Sequence, residues 1–116
     1  MNTNDCIFCK IVSGEIPTTK VHQDEMCMAF DDMHPQAPVH ILVIPRDHIV
    51  SLDKAAENDK AVLGHLLLTA ANLARSKGFA DNGYRVVVNT NSDGGQTVFH
   101  LHVHLLGGRP FHFPPG

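Results

Sequence analysis

The sequence predicts an α+β domain: a five-stranded antiparallel sheet, one long helix covering a face of it, and a short N-terminal helix. Three observations carry this. Five short runs are β-branched or alternate apolar with polar residues, and each is closed by Pro, Gly, Asn or Asp. A single segment carries a long helical stripe. The 116 residues show no internal repeat, low-complexity tract or linker, and suffice for one core but not for two.

In chain order, "CIFCKIVSGEIP" reads as a short helix or helical turn stopped by Gly14 and Pro17, so residues 1–17 form an N-terminal helix segment. "TKVHQD" and "CMAFDD" read as two strands joined by a tight turn at Asp24-Glu25. "VHILVIP" is a β-branched third strand bounded by Pro38 and Pro45. Over residues 58–77 the period becomes helical: Leu63, Leu66, Leu67, Ala70, Leu73 and Ala74 make an apolar stripe, and Gly78 stops it. "YRVVVNT" is a fourth strand, "NSDGGQ" a turn-rich loop and "FHLHVHLL" a fifth strand. Residues 108–116 are an irregular tail.

Composition narrows the partners. Hydrophobic content of 43% and charge of 18% suit a soluble globular protein. A net charge of −3 argues against a nucleic-acid backbone or an anionic membrane. No basic-plus-apolar leader and no apolar run of membrane-spanning length is present, so the expected location is the cytoplasm. Three cysteines cannot close a disulfide framework, which agrees with a reducing compartment; Cys27 reads as a buried thiol. The unusual figure is nine histidines.

Three of those, His100, His102 and His104, alternate with Leu101, Val103 and Leu105. Period two sorts them onto one strand with an imidazole face and an aliphatic face. By the same arithmetic His40 shares a face with Leu42 and Ile44, Asn89 with Val87 and Arg85, and Asp32 follows Phe30 and Met28. If these faces coincide, the sheet carries a pocket with an apolar wall and a polar end. Three readings of the imidazoles compete. They could line a wet surface. They could hold a catalytic metal, but such sites usually add a carboxylate, and no Asp or Glu occurs from Gly94 to Gly116. Or the middle one is a nucleophile toward phosphorus, its neighbours fixing its tautomer and steadying phosphate oxygens or the leaving group. "NSDGGQT", directly upstream, suits an anion cradle, because glycines allow close approach of backbone N–H groups.

"HLHVHLL" resembles the histidine triad signature, in which three histidines alternate with apolar residues. "DGGQTVFHLHVHLLGGRP" and "DDMHPQAPVHILVIPRDHI" are similar to the two long motifs of its Hint branch, the purine nucleoside phosphoramidases. The resemblance runs from "CIFCKIVSGEIP" to "FPPG" and implies one HIT domain over residues 1–116, with its sheet continued across a homodimer. It implies that His102 is the nucleophile, that His100 and His104 flank it with His104 near the phosphate and leaving group, and that His40 supports the site. Asn89, Gly95, Gln96 and Thr97 would line the phosphate, with Thr97 near the leaving group. Asp32 would accept from the ribose hydroxyls, and Ile7, Phe8, Phe30 and Met33 would form the slot for the purine. The implied reaction is cleavage of the P–N bond of a purine nucleoside 5′-phosphoramidate to AMP or GMP and an amine, without a metal in the chemistry; acyl-nucleotides would serve equally. The alternatives are hydrolysis of dinucleoside polyphosphates and a nucleotide- or zinc-binding regulatory module. Two positions depart from the branch: Thr97 stands where Ser is common, and Phe113 where Trp is common, in a tail that reaches toward the partner's site.

Cys6 and Cys9 form a C-x-x-C pair that supplies two of the four ligands a structural zinc needs. By similarity to zinc-carrying family members, His48 and His100 would complete the set. The alternative is two reduced thiols on a short helix. A redox motif lacks its β-α-β context.

Overall fold

The computed structural model describes residues 5–116. The chain runs α1 (Ile7–Ser13), β1 (Lys20–Gln23), β2 (Cys27–Asp31), β3 (Val39–Pro45), α2 (Lys60–Ser76), β4 (Tyr84–Val87) and β5 (Val103–Gly107). The strands form one antiparallel sheet in the order β1-β2-β3-β5-β4, which leaves β1 and β4 at its edges.

Helix α1 begins where the Cys6 sulfur accepts from the Cys9 N–H and ends where Gly14, at φ +86°, turns its own N–H back to the Ile11 carbonyl. The turn between β1 and β2 is built by Asp24, whose Oδ1 accepts from the Met26 and Cys27 N–H groups. Helix α2 lays Leu66, Thr69, Ala70, Leu73 and Ala74 on the sheet.

The period-two arithmetic is realised as two separate cores. On one face Cys27, Ala29, Ile41, Val43, Leu101, Val103 and Leu105 pack under α2. On the other, Met28, Phe30, Leu42 and Ile44 pack with Cys6, Phe8 and Ile11 of the α1 segment. Cross-strand register brings Phe30, Leu42, His104 and Val87 into one row, because Phe30 pairs with Leu42, Leu42 with His104, and His104 with Val87. The imidazoles therefore share their face with the α1 core.

The elements differ from expectation in four places. The fifth strand starts at Val103 and not at Phe99. Upstream of it the chain pairs with the loop after β3, as the Leu101 N–H donates to the Ile49 carbonyl and the His100 ring meets the Pro45 carbonyl. β4 accordingly ends at Val87, opposite His104, since β5 offers no ladder beyond Val103. Two 3-10 turns, Leu52–Lys54 and Glu57–Asp59, precede α2 and take up its expected first turn. Leu67, expected in the buried stripe, lies on the flank of α2 and is 51% exposed, next to Leu68 at 62%. Among the described residues no helix is long and apolar enough to cross a membrane.

Candidate active site

The site is assembled on the α1 side of the sheet from β3, the segment entering β5, and the chain just after β2. His40 sits on β3, His104 on β5, and His102 one residue before β5. His40 and His102 are buried and His104 is partly so. The His102 and His104 ring centroids lie 5.0 Å apart, and those of His40 and His104 5.2 Å apart.

Hydrogen-bond partners decide which ring nitrogens carry protons. The His102 Nδ1 lies 2.8 Å from the His100 carbonyl, which can only accept. Nδ1 therefore holds the proton, and Nε2 keeps a bare lone pair. The Gln36 N–H donates to His40 Nδ1 at 3.0 Å, so the His40 proton is on Nε2. That Nε2 lies 2.9 Å from His104 Nδ1 and 3.4 Å from Asp32 Oδ2. His104 Nδ1 consequently accepts, and its own proton is on Nε2. One backbone N–H thus sets two tautomers in series.

Burial favours the neutral form of His40 and His104. Burial pushes the His104 imidazolium down to about 4, and positive charge on His102 or His40 would push the same way, against the opposing pull of Asp32. Burial lowers His40 as well, again opposed by Asp32. Asp32 is held in turn by the His34 N–H, which donates to its Oδ1.

The other expected residues divide. Phe8 and Phe30 are buried and pack edge-to-face 5.5 Å apart, and Phe8 also stands perpendicular to the His102 ring at 5.3 Å. These rings brace the site from below. Ile7 is half exposed and Met33 lies 86% in solvent. Asn89 is half-buried, past the end of β4. Thr97 and Gly95 are exposed on the loop before the histidines. Gln96 is buried and its amide is fully engaged: Nε2 donates to the Val50 and Val98 carbonyls and Oε1 accepts from the Asn91 N–H. It fixes the shape of the loop. A Cβ on Gly94 would strike the Thr90 backbone, which explains the first glycine of the pair. Sequence reasoning allows for a backbone carbonyl holding the far nitrogen of the nucleophile but does not say which groups serve, the Gln36 N–H and the His100 and Pro45 carbonyls, since no residue type signals them.

His100 belongs elsewhere. Its Nε2 donates to the Pro45 carbonyl at 2.9 Å, so Nδ1 faces the Cys6 and Cys9 sulfurs at 3.3 and 3.6 Å with its lone pair free. His48 Nδ1 lies 3.3 Å from the Cys9 sulfur. These four atoms lie within 4.8 Å of one another. Tetrahedral zinc with bonds of roughly 2.3 Å to sulfur and 2.0 Å to nitrogen has ligand–ligand edges of about 3.6 Å. The donor set and spacing fit zinc. Without an ion, burial and then the neighbouring Cys6 push the Cys9 thiol up to about 11, whereas a coordinated thiol is deprotonated outright. Among the described residues all three cysteines are free.

Comparison with known proteins identifies the family and matches the fold. The HIT domain family matches residues 13–111. The chain is 54% identical to a HIT-like protein of Synechococcus elongatus over 98% of its own length and 99% of the relative's. It is 48% identical to the 14 kDa zinc-binding protein of Zea mays, over 100% of this chain and 91% of that one. Among solved structures, a HIT family hydrolase from Legionella pneumophila superposes with a TM-score of 0.94 at 48% identity, covering 97% and 100% of the two chains. The histidine triad nucleotide-binding protein of Candida albicans gives 0.80 at 30% identity, covering 95% and 83%. A zinc-bound histidine triad family protein from Mycobacterium smegmatis gives 0.79 at 31%, covering 93% and 78%.

Proposed function

The chain belongs to the HIT domain family, and from that premise we propose that it is a hydrolase of purine nucleoside 5′-phosphoramidates, of the Hint branch. The observation that carries the reading is the bare Nε2 of His102, created by Nδ1 donation to the His100 carbonyl.

In the first step Nε2 attacks phosphorus, forming an N–P bond as the substrate's P–N bond breaks, and the amine leaves with a proton. His104 Nε2–H and the Thr97 hydroxyl supply the donors at the leaving side. His104 stays neutral: it donates a hydrogen bond, the proton that leaves with the amine is drawn from solvent, and the His40 Nε2–H holds His104 Nδ1 in place across their 2.9 Å contact. In the second step water cleaves the nucleotidyl-His102 bond, returning the lone pair to Nε2, releasing AMP or GMP and giving back to solvent the proton that left with the amine. The Gly95 and Gln96 N–H groups shape the loop by donating to the Ser92 and Asn91 carbonyls, so the donors offered to the phosphate are the Asn89 amide and the Thr97 hydroxyl. Asp32 takes the ribose hydroxyls, and Ile7 and Met33 close over a purine whose floor is Phe8 and Phe30. The chemical step draws its charge stabilisation from the imidazoles, the Asn89 amide and the Thr97 hydroxyl, so the reading calls for no divalent cation.

A zinc ion would be held by Cys6, Cys9, His48 and His100, tying α1 to the chain that enters β5. It would supply structural cross-linking only. The names of the Zea mays and Mycobacterium smegmatis relatives support this. The edge strand β4, with Val86 37% exposed, and the exposed Leu67 and Leu68 support a homodimer that joins two sheets.

The test is single-turnover cleavage of an adenosine 5′-phosphoramidate carrying a fluorescent amine, in excess EDTA, by wild type and His102→Ala. Release by wild type alone supports the reading. Loss of wild-type turnover in EDTA without unfolding would overturn it in favour of a catalytic metal. AMP binding without turnover by either protein would make the chain a binding module.

A further inference from the structure

A second group of metal-ligating side chains lies on the opposite, α2 side of the sheet, remote from the imidazole face. His22 on β1 and His65 on α2 both point Nε2 at one oxygen, Asp24 Oδ2, each at 2.7 Å. The Cys27 sulfur on β2 lies 3.6 Å from the same oxygen and 3.6 Å from Thr69 Oγ1. His22, Asp24 and His65 line a groove of about 240 Å³ with Thr69, Asn72, Leu73 and Ser76. None of these residues has a part in the proposed reaction.

We propose that His22, Asp24, Cys27 and His65 form a binding site for a zinc-class divalent ion. Four features argue for it. The two imidazole nitrogens, the carboxylate oxygen and the sulfur lie within 4.8 Å of one another, three of them from the β1–β2 hairpin and the fourth, His65, brought to them by the packing of α2. A tetrahedral ion with bonds of about 2.0 Å to N and O needs edges of roughly 3.3 Å, which the 2.7 Å contacts reach by opening about 0.6 Å. The carboxylate is already aimed: its other oxygen is pinned by the Met26 and Cys27 N–H groups at 2.8 and 2.9 Å, leaving Oδ2 to act as a single-point ligand. Charge closes as well, because one carboxylate and one thiolate neutralise a divalent ion, with the Cys27 proton released to solvent and the Nε2 proton that each histidine donates to Asp24 exchanged through solvent onto Nδ1. Two imidazoles and a thiolate select zinc, cobalt or copper over magnesium and calcium. Both histidines are about one-third exposed, so the ion enters from the groove. Bound there, it clamps the β1–β2 turn onto α2.

Zinc content per chain, measured by elemental analysis after equilibrium dialysis against buffered zinc, tests this with wild type, His22→Asn and His65→Asn. Each variant is expected to hold one equivalent less than wild type, whether or not the Cys6/Cys9 site is filled. Equal content in all three overturns the site. A variant that fails to fold leaves the wild type itself decisive: zinc titration must shift the His22 and His65 ring-nitrogen resonances, and unmoved resonances overturn the proposal. Cobalt loading checks the fourth ligand. Cys27→Ser must lose part of the sulfur-to-cobalt absorption, and an unchanged band removes Cys27 from the set.

Discussion

At the scale of single residues, proton placement governs what the site can do. His102→Ala is expected to lower single-turnover release by on the order of 10⁴-fold or more while AMP binding, followed by calorimetry, persists. His40→Ala removes the partner of His104 without touching the reacting nitrogen; a loss of roughly 10²-fold in the amine-release step is expected, with the affinity for AMP nearly unchanged. His104 also makes stability depend on pH. Its folded value of about 4 lies below the ordinary 6.5, so between these values the unfolded chain binds a proton that the folded chain refuses. Its contribution is complete above pH 6.5 and is lost as pH falls toward 4. Urea midpoints measured across that window should fall more steeply for wild type than for His104→Asn. Asp32 stood out only through the family resemblance, whereas the imidazoles and the cysteine pair were legible because rare residue types at strict spacing leave a mark in sequence. The tautomers were not, since they depend on the Gln36 N–H and on two carbonyls that every residue possesses.

At the scale of elements, α1 does more than its seven residues suggest. It delivers Phe8 under the His102 ring and Cys6 and Cys9 to His100, so its ends matter. Gly14→Ala, at a backbone conformation that a Cβ opposes, should cost about 1 kcal/mol in urea unfolding and leave the phosphoramidate reaction intact. Every strand and both helices were readable from period and punctuation. The boundaries that shifted, at β4, β5 and the start of α2, are those where a loop competes for hydrogen bonds. Residues 98–102 have strand-like alternation, yet the loop after β3 takes their partners. The convergence of His22 and His65 on Asp24 was invisible in sequence, because 41 residues separate Asp24 from His65.

At the scale of the whole molecule, the faces of the sheet divide the labour. The α1 side carries the candidate chemistry and the α2 side the larger core. The period-two pattern predicted this division; the helical stripe on α2 departed from it at Leu67, whose exposure requires knowing how far α2 rolls on the sheet. If β4 and α2 meet a second copy, Leu67→Glu combined with Leu68→Glu should convert a sedimenting dimer to a monomer while the chain stays folded. Removing zinc with a strong chelator should lower the melting temperature by more than about 5 °C and leave single-turnover chemistry measurable below that temperature.

The acceptor that orients His102 is a main-chain carbonyl, whereas many catalytic histidines rely on an aspartate side chain for the same service. No codon change can delete it. Random mutagenesis will therefore recover lesions in the imidazoles themselves but never one that abolishes the acceptor. Only a backbone edit, such as a semisynthetic ester in place of the His100–Leu101 amide, reaches it, by weakening the carbonyl.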